Sequence, residues 1–165
     1  MIKRMSIFLL FNVMSLSCMH LMAQDNAEIE NVVSKQVGDS VATVIMHADS
    51  IVANLTVWES DTLSPRILSP CMCSIVQYTL CQPVMYRFDK RVYSAFYADV
   101  RLEIKQGERK LTLELDYNIN KWRLLDGDGK QICRHDLMNT ELLSLMHELW
   151  PESKNINVKY EEFIK

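Results

Sequence analysis

The chain is poor in the residues that punctuate and loosen structure: among 165 residues there are 4 Gly and 4 Pro. That scarcity excludes collagen-like and low-complexity architectures, and it leaves little material for a glycine-rich phosphate loop. Basic residues are not in surplus either, with 18 Lys+Arg against 21 Asp+Glu and a formal charge of −3. An electrostatic footprint for nucleic acid is therefore missing, and no nucleic-acid partner is expected. Neither G-x-S-x-G nor H-E-x-x-H occurs, so the common hydrolase chemistries lose their usual signatures. No uninterrupted apolar run approaches the roughly 20 residues of a spanning helix. What is present, 48% hydrophobic and 24% charged residues with a mean hydropathy of −0.05, is the balance of a globular domain.

The N-terminus has the form of an export signal. Lys3 and Arg4 precede the apolar run from Ile7 to Met14, broken by Asn12, and the chain turns polar at Gln24-Asp25-Asn26. A charged start, an apolar middle and a small residue at the exit predict a signal peptide over 1–23, cut between Ala23 and Gln24. Two alternatives stay open: lipidation at Cys18, which follows Leu16-Ser17, and an uncleaved anchor. Ser15 stands where a lipidation signal prefers Leu, which favours soluble export. The expected location is periplasmic or secreted, alternatively a lipid-anchored protein of the envelope. Loss of 1–23 removes Lys3 and Arg4 and no acid, leaving an acidic remainder, 24–165, long enough to bury a core as a single α+β domain.

That remainder keeps four cysteines, Cys71, Cys73, Cys81 and Cys133. In an exported chain they can pair. Cys71 and Cys73 flank only Met72, too close for an easy bridge, so a disulfide would join one of them to Cys81 or Cys133. Three connectivities exist, and a Cys73–Cys133 bridge would close a loop of about sixty residues worth on the order of 4 kcal/mol. Buried free thiols and a soft-metal or redox site are the other readings. The metal reading lacks the two close Cys pairs of structural zinc, and no metal or other cofactor is assigned.

Hydrophobic spacing places the elements. Ile29, Val32, Val33, Val37, Val41, Val44 and Ile45 recur at three and four residues and predict a helix over 28–47, with Gly38 as an interruption and 40–48 readable as strand. Alternation predicts a strand over 50–58. Ser69-Pro70 offers a cap and a first-turn proline for a helix over 70–81, stopped by Gln82-Pro83. Alternation again gives strands over 97–105 and 111–117, joined by a loop over 106–110, then strands near 121–125 and 130–133. The other face of that hairpin, with Arg101, Glu103 and Lys105 against Thr112, Glu114 and Asp116, reads as a solvated set of charge pairs. A leucine-rich helix follows over 139–150, capped by Asn139, and 154–165 reads as a polar tail or edge element anchored by Tyr160 and Phe163. The predicted architecture is an antiparallel β-meander packed on one face by two or three helices.

Other constellations have simpler readings. Asp126-Gly-Asp-Gly opens like a calcium loop, but Lys130 and Leu137 stand where ligands belong, so a hairpin turn is expected. His47, His135 and His147 lack partners at metal or catalytic spacing, and Asp136 beside His135 suits helix capping. Asn54-Leu-Thr56 matches a glycosylation acceptor inside a predicted strand. Trp58, Trp122 and Trp150 suit core closure better than a stacking platform.

From Phe88 to Ile156 the chain resembles a group of small exported proteins and lipoproteins of unknown function from gut-dwelling Gram-negative bacteria. The residues that carry the resemblance are Ala98-Asp99-Val100-Arg101-Leu102, the alternation of Leu111 to Leu115, Trp122, the Asp-Gly-Lys turn before Ile132, and Glu141-Leu-Leu leading to Leu149-Trp150-Pro151. The resemblance implies a hairpin, a short third strand and a leucine-rich helix, and cysteines before and within the hairpin. Here the hairpin from Ala98 to Tyr117 has none. The functional expectation is a non-catalytic binding domain for a protein, glycan or envelope component, acting through an edge strand or the loops near 59–70 and 106–110. A thiol or metal function at the four cysteines, and a small hydrolase or hydrolase inhibitor, are its rivals.

Overall fold

A computed structural model describes residues 33–56, 65–87, 95–138 and 140–164. The export signal, Cys18, the Ala23–Gln24 junction, Trp58, Phe88 and Asn139 lie outside the described residues; the residue at the N-cap of the leucine-rich helix is Thr140, not the expected Asn139. A six-stranded, wholly antiparallel sheet carries the fold, in the order β2-β1-β3-β4-β5-β6. Its strands are β1 (Ser50–Leu55), β2 (Arg66–Ile67), β3 (Val100–Gln106), β4 (Arg109–Asp116), β5 (Lys121–Leu125) and β6 (Gln131–Asp136). Around them lie α1 (Asp39–Met46), α2 (Pro70–Leu80), α3 (Glu141–Leu149) and α4 (Lys154–Ile164), with a helical segment over 33–37 before α1 and a 3-10 turn over Pro83–Tyr86. The α+β class and the four-strand meander over β3 to β6 are as expected. The first strand joins it one place in from the edge, because the two-residue β2, which alternation is too short to reveal, pairs outside it.

Helix 28–47 is broken where its glycine suggested. Residues 33–37 are helical, Gly38 turns at φ 85°, a region glycine enters without strain, and α1 starts at Asp39. Val44 and Ile45 are buried, so the β-branched run in 40–46 is helix, its tertiary packing overriding propensity. At α2 the Ser69 hydroxyl accepts from the Met72 N–H at 3.3 Å, with Pro70 at the first position. The β3–β4 loop is tighter than 106–110: the strands pair as far as Gln106 with Arg109, and Gly107 takes φ 55°, as a two-residue hairpin demands.

One further expectation is corrected, and another, the hairpin turn at 126–129, is met. Residues 154–164 form α4, not a tail: Ile156 is buried in the core, Tyr160 packs against it, and the Ser153 hydroxyl accepts from the Ile156 N–H at 3.4 Å. The Asp-Gly-Asp-Gly turn uses its carboxylate internally, Asp126 Oδ1 accepting from the N–H groups of Asp128 at 3.1 Å and Lys130 at 2.8 Å. Those bonds fix an Asx-type turn.

The inward residues of the sheet, among them Leu102, Ile104, Leu113, Leu115, Trp122 and Leu124, join Val44 and Ile45 of α1, Val76 and Leu80 of α2, and Leu142, Leu143 and Met146 of α3 in one hydrophobic cluster. This apolar burial, at roughly 25 cal/mol per Å², is the main driving force for the fold.

Candidate functional site

Helices α2 and α3 lie side by side and leave an open groove of about 510 Å³ between them. The inward stripe of α2, with Val76, Thr79 and Leu80 buried, fixes which residues face out. These are Cys71, Ser74, Ile75 and Tyr78, spaced three and four apart along one wall. On α3 the buried set is Leu142, Leu143, Leu145, Met146 and Leu149, and the opposite wall is Glu141, Ser144, Leu145 and Glu148. Thr79 donates to Glu141 Oε2 at 3.0 Å, tying the two helices together. Gln77 Nε2 donates to the Met46 carbonyl at 3.2 Å, fixing α2 against α1. Tyr78 is 56% exposed, a large side chain left on the wall of an apolar trough. Among the described residues no basic side chain lines it, while two glutamates do.

The sequence suggested loops and an edge strand as contact sites and did not single out this groove. Its signal was present: two amphipathic helices, α2 with Cys71, Ser74, Ile75 and Tyr78 outside its core stripe and α3 with Glu141, Ser144 and Glu148 outside its own. What sequence cannot supply is that the two faces meet. Of the expected loops, 57–64 lie outside the described residues, and 106–110 is largely the tight hairpin end of β3 and β4.

The four cysteines are free thiols, differently placed. Cys71 is exposed on the groove wall. Cys73 is half-buried, its Sγ 3.8 Å from the Leu68 carbonyl oxygen, and burial pushes its thiol up. Cys81 is buried with Sγ 3.0 Å from Met46 Sδ, and desolvation raises it to about 11. Cys133 faces inward and is raised by the same cause, also to about 11. Since the thiolate is the nucleophile and the metal ligand, Cys81 and Cys133 are inert at neutral pH. Among the described residues no group of three or more His, Cys, Asp or Glu is arranged to hold a metal ion.

His135 enters an aromatic cluster. Tyr86 stands edge-on to both Trp122 and His135 with ring centroids 5.5 Å apart, and Trp122 lies 5.4 Å from His135. Trp122 Nε1 donates to the Met85 carbonyl and Tyr86 Oη to that of Leu80, both at 2.8 Å. Burial, and then the nearby Lys121 ammonium, lower the His135 pKa, so it is neutral at pH 7. Among the described residues its buried Nδ1 has no hydrogen-bond partner, which suits ring packing. His147 stacks on Tyr160 at 4.2 Å, and His47 is the exposed residue ending α1. The three histidines are thus in three settings. Trp122 and Trp150 are wholly buried, core residues as expected.

The outer face of the hairpin differs from expectation. Glu114, Asp116, Lys121 and Asp136 are all nearly inaccessible, and Lys121 forms an ion pair with Asp136. The register is Arg101 opposite Glu114 and Glu103 opposite Thr112. The solvated ladder the alternation suggests holds toward the hairpin end, where Glu103 and Lys110 pair at 3.1 Å, and at Arg101, whose side chain is half exposed. Among the described residues no helix is long and apolar enough to cross a membrane.

In class, then, the chain is an α+β domain, one antiparallel sheet under helices, with an open interhelical groove. No family model, curated protein or solved structure matches it.

Proposed function

We propose that this is an exported, non-catalytic binding domain that takes an apolar ligand bearing a positive charge in the groove between α2 and α3. The observation that carries the reading is the composition of the groove: Ile75, Leu145 and the exposed Tyr78 give it an apolar lining, Glu141 and Glu148 edge it, and among the described residues no basic side chain lines it. Concave, mostly apolar sites with a few placed polar groups are the usual form of ligand sites. The raised thiols of Cys81 and Cys133 and the neutral, packed His135 favour binding over thiol or hydrolytic chemistry. Export rests on the charged, apolar and small-residue order of 1–23, and the resemblance over 88–156 to small exported proteins points the same way.

Two measurements test it. Titration with an alkyltrimethylammonium probe below its micelle concentration, followed by amide shifts at Ser74 and Ser144, is expected to saturate, whereas an alkyl sulfate of equal length binds at least tenfold more weakly. Leu145→Arg abolishes binding and Tyr78→Ala weakens it about tenfold, in line with the loss of one aromatic anchor. Equal binding of both probes, or indifference to Leu145→Arg in a folded variant, overturns the reading. Intact mass of the chain recovered from a Gram-negative periplasm is expected to start at Gln24; a lipid adduct on Cys18 would replace soluble export by anchoring.

A further inference from the structure

One row of paired residues crosses the outer face of the sheet: Arg101 on β3, Glu114 on β4, Arg123 on β5 and Arg134 on β6. It holds three guanidinium groups and one carboxylate. Glu114 is buried and both its oxygens are occupied, Oε1 by Arg101 Nε at 2.6 Å and Oε2 by Arg123 Nε at 2.5 Å. The other carboxylates of this face are also committed. Asp136 pairs with Lys121 and Glu103 with Lys110, and Asp116 accepts from the backbone N–H groups of Tyr97, Asn118 and Ile119.

Arg134 is what remains. It sits directly opposite Arg123 in the β5–β6 pairing, and like charges so placed repel. Its Nη2 is closed off from solvent and, among the described residues, has no hydrogen-bond partner. A guanidinium cannot relieve this by losing its proton. The ring of Phe96 meanwhile holds both groups, with Arg123 Cζ 4.3 Å and Arg134 Cζ 5.2 Å from its centroid. Stacking fixes the planes and leaves N–H edges to point at a ligand.

We propose that Arg123 and Arg134, braced by Phe96, form a binding site for a small oxoanion, a carboxylate or a phosphate, whose oxygens accept from the two guanidinium groups. Such charge-assisted, forked contacts are the geometry for which arginine is suited. The site shares no residue with the groove between α2 and α3, and its occupation is independent of that reading.

The test is a titration of the purified chain with inorganic phosphate and, separately, with galacturonate, each at constant ionic strength against sodium chloride, following the arginine Nε–Hε resonances. Saturable shifts confined to Arg123 and Arg134 are expected with at least one of the two anions; which one saturates identifies phosphate or carboxylate as the source. Arg134→Gln is expected to lower that affinity at least tenfold, Phe96→Leu several-fold, and Lys105→Gln, at the far end of the same face, not at all. If Arg134→Gln does not fold, Arg134→Lys keeps the charge, lacks the fork, and is expected to bind several-fold more weakly. Shifts no different from those in chloride, or unchanged affinity in a folded Arg134→Gln or Arg134→Lys variant, overturn the proposal.

Discussion

The two faces of this sheet are built from the same alternating strands and end in different chemistry. The inner face meets α1, α2 and α3 through mostly aliphatic and aromatic side chains, nearly all buried, with Leu55, Cys133 and His135 only partly covered. On the outer face Arg101, Lys105 and Lys110 stay in solvent, while Asp116, Lys121 and Asp136, at the end away from the β3–β4 hairpin, are as inaccessible as many core residues. Period two states which residues share a face. It does not state whether a polar face is left in water, since that depends on what later packs over it.

The largest expected effect lies on the inner face. Trp122 is wholly buried, edge-on to Tyr86, with its indole N–H satisfied by Met85. Trp122→Ala should cost about 4 kcal/mol of unfolding free energy, the usual cost of truncating a buried aromatic, measured by urea denaturation. A loss below about 1 kcal/mol would mean that the inner face is not the packed side.

The buried end of the outer face comes next. Removing one member of a desolvated ion pair leaves the other charge stranded, a cost of about 3–5 kcal/mol. Asp136→Ala is expected at the lower end of that range, near 3 kcal/mol, because Asp136 retains slight exposure. The double variant Lys121→Met, Asp136→Leu, which removes both charges of the pair, should recover most of it. An exposed pair would give a small single-variant loss and no recovery, and would collapse the contrast between the two ends.

Two titrating groups sharpen the contrast through their opposite signs. Burial raises the Asp99 pKa above 3.8, against the lowering effect of the Tyr117 N–H bond. Its protonation therefore adds stability that is fully present below 3.8 and is lost as pH rises through the raised value. His135, lowered below 6.5, contributes stability present above 6.5 and lost as pH falls through its lowered value. Stability against pH, measured for the wild type minus Asp99→Asn, should therefore decline with rising pH above 3.8. The same difference for His135→Phe should increase with rising pH as far as 6.5. Reversed slopes would contradict the burial of either group.

Much of the fold is readable in the sequence because its elements announce themselves locally. Leu111, Leu113 and Leu115 alternate; Ser69-Pro70 caps and starts α2; Leu142 to Leu149 makes a stripe. The failures share one cause. Two residues, Arg66 and Ile67, are too few to show a period, yet pairing with Val52 and Ala53 makes them a strand. In α4 the anchors Ile156 and Tyr160 stand four apart amid polar residues, a weak stripe that matters only because the core receives it. Of the functional candidates, His135, Cys81 and Cys133 were visible as residue types but turn out to be packed. The groove and the Arg123–Arg134 pair were not visible, because each exists only through register or helix contact.

The smallest expected effect tests the open end. Glu103 and Lys110 are paired at 3.1 Å with a third or more of each side chain in water, where solvent and salt screen the attraction and ordering two side chains offsets it. Lys110→Ala should change stability by about 0.5 kcal/mol or less, and that small difference should vanish in high salt. A loss as large as that of Asp136→Ala, persisting in salt, would place the hairpin end under cover too, and the outer face would then be buried from one end to the other.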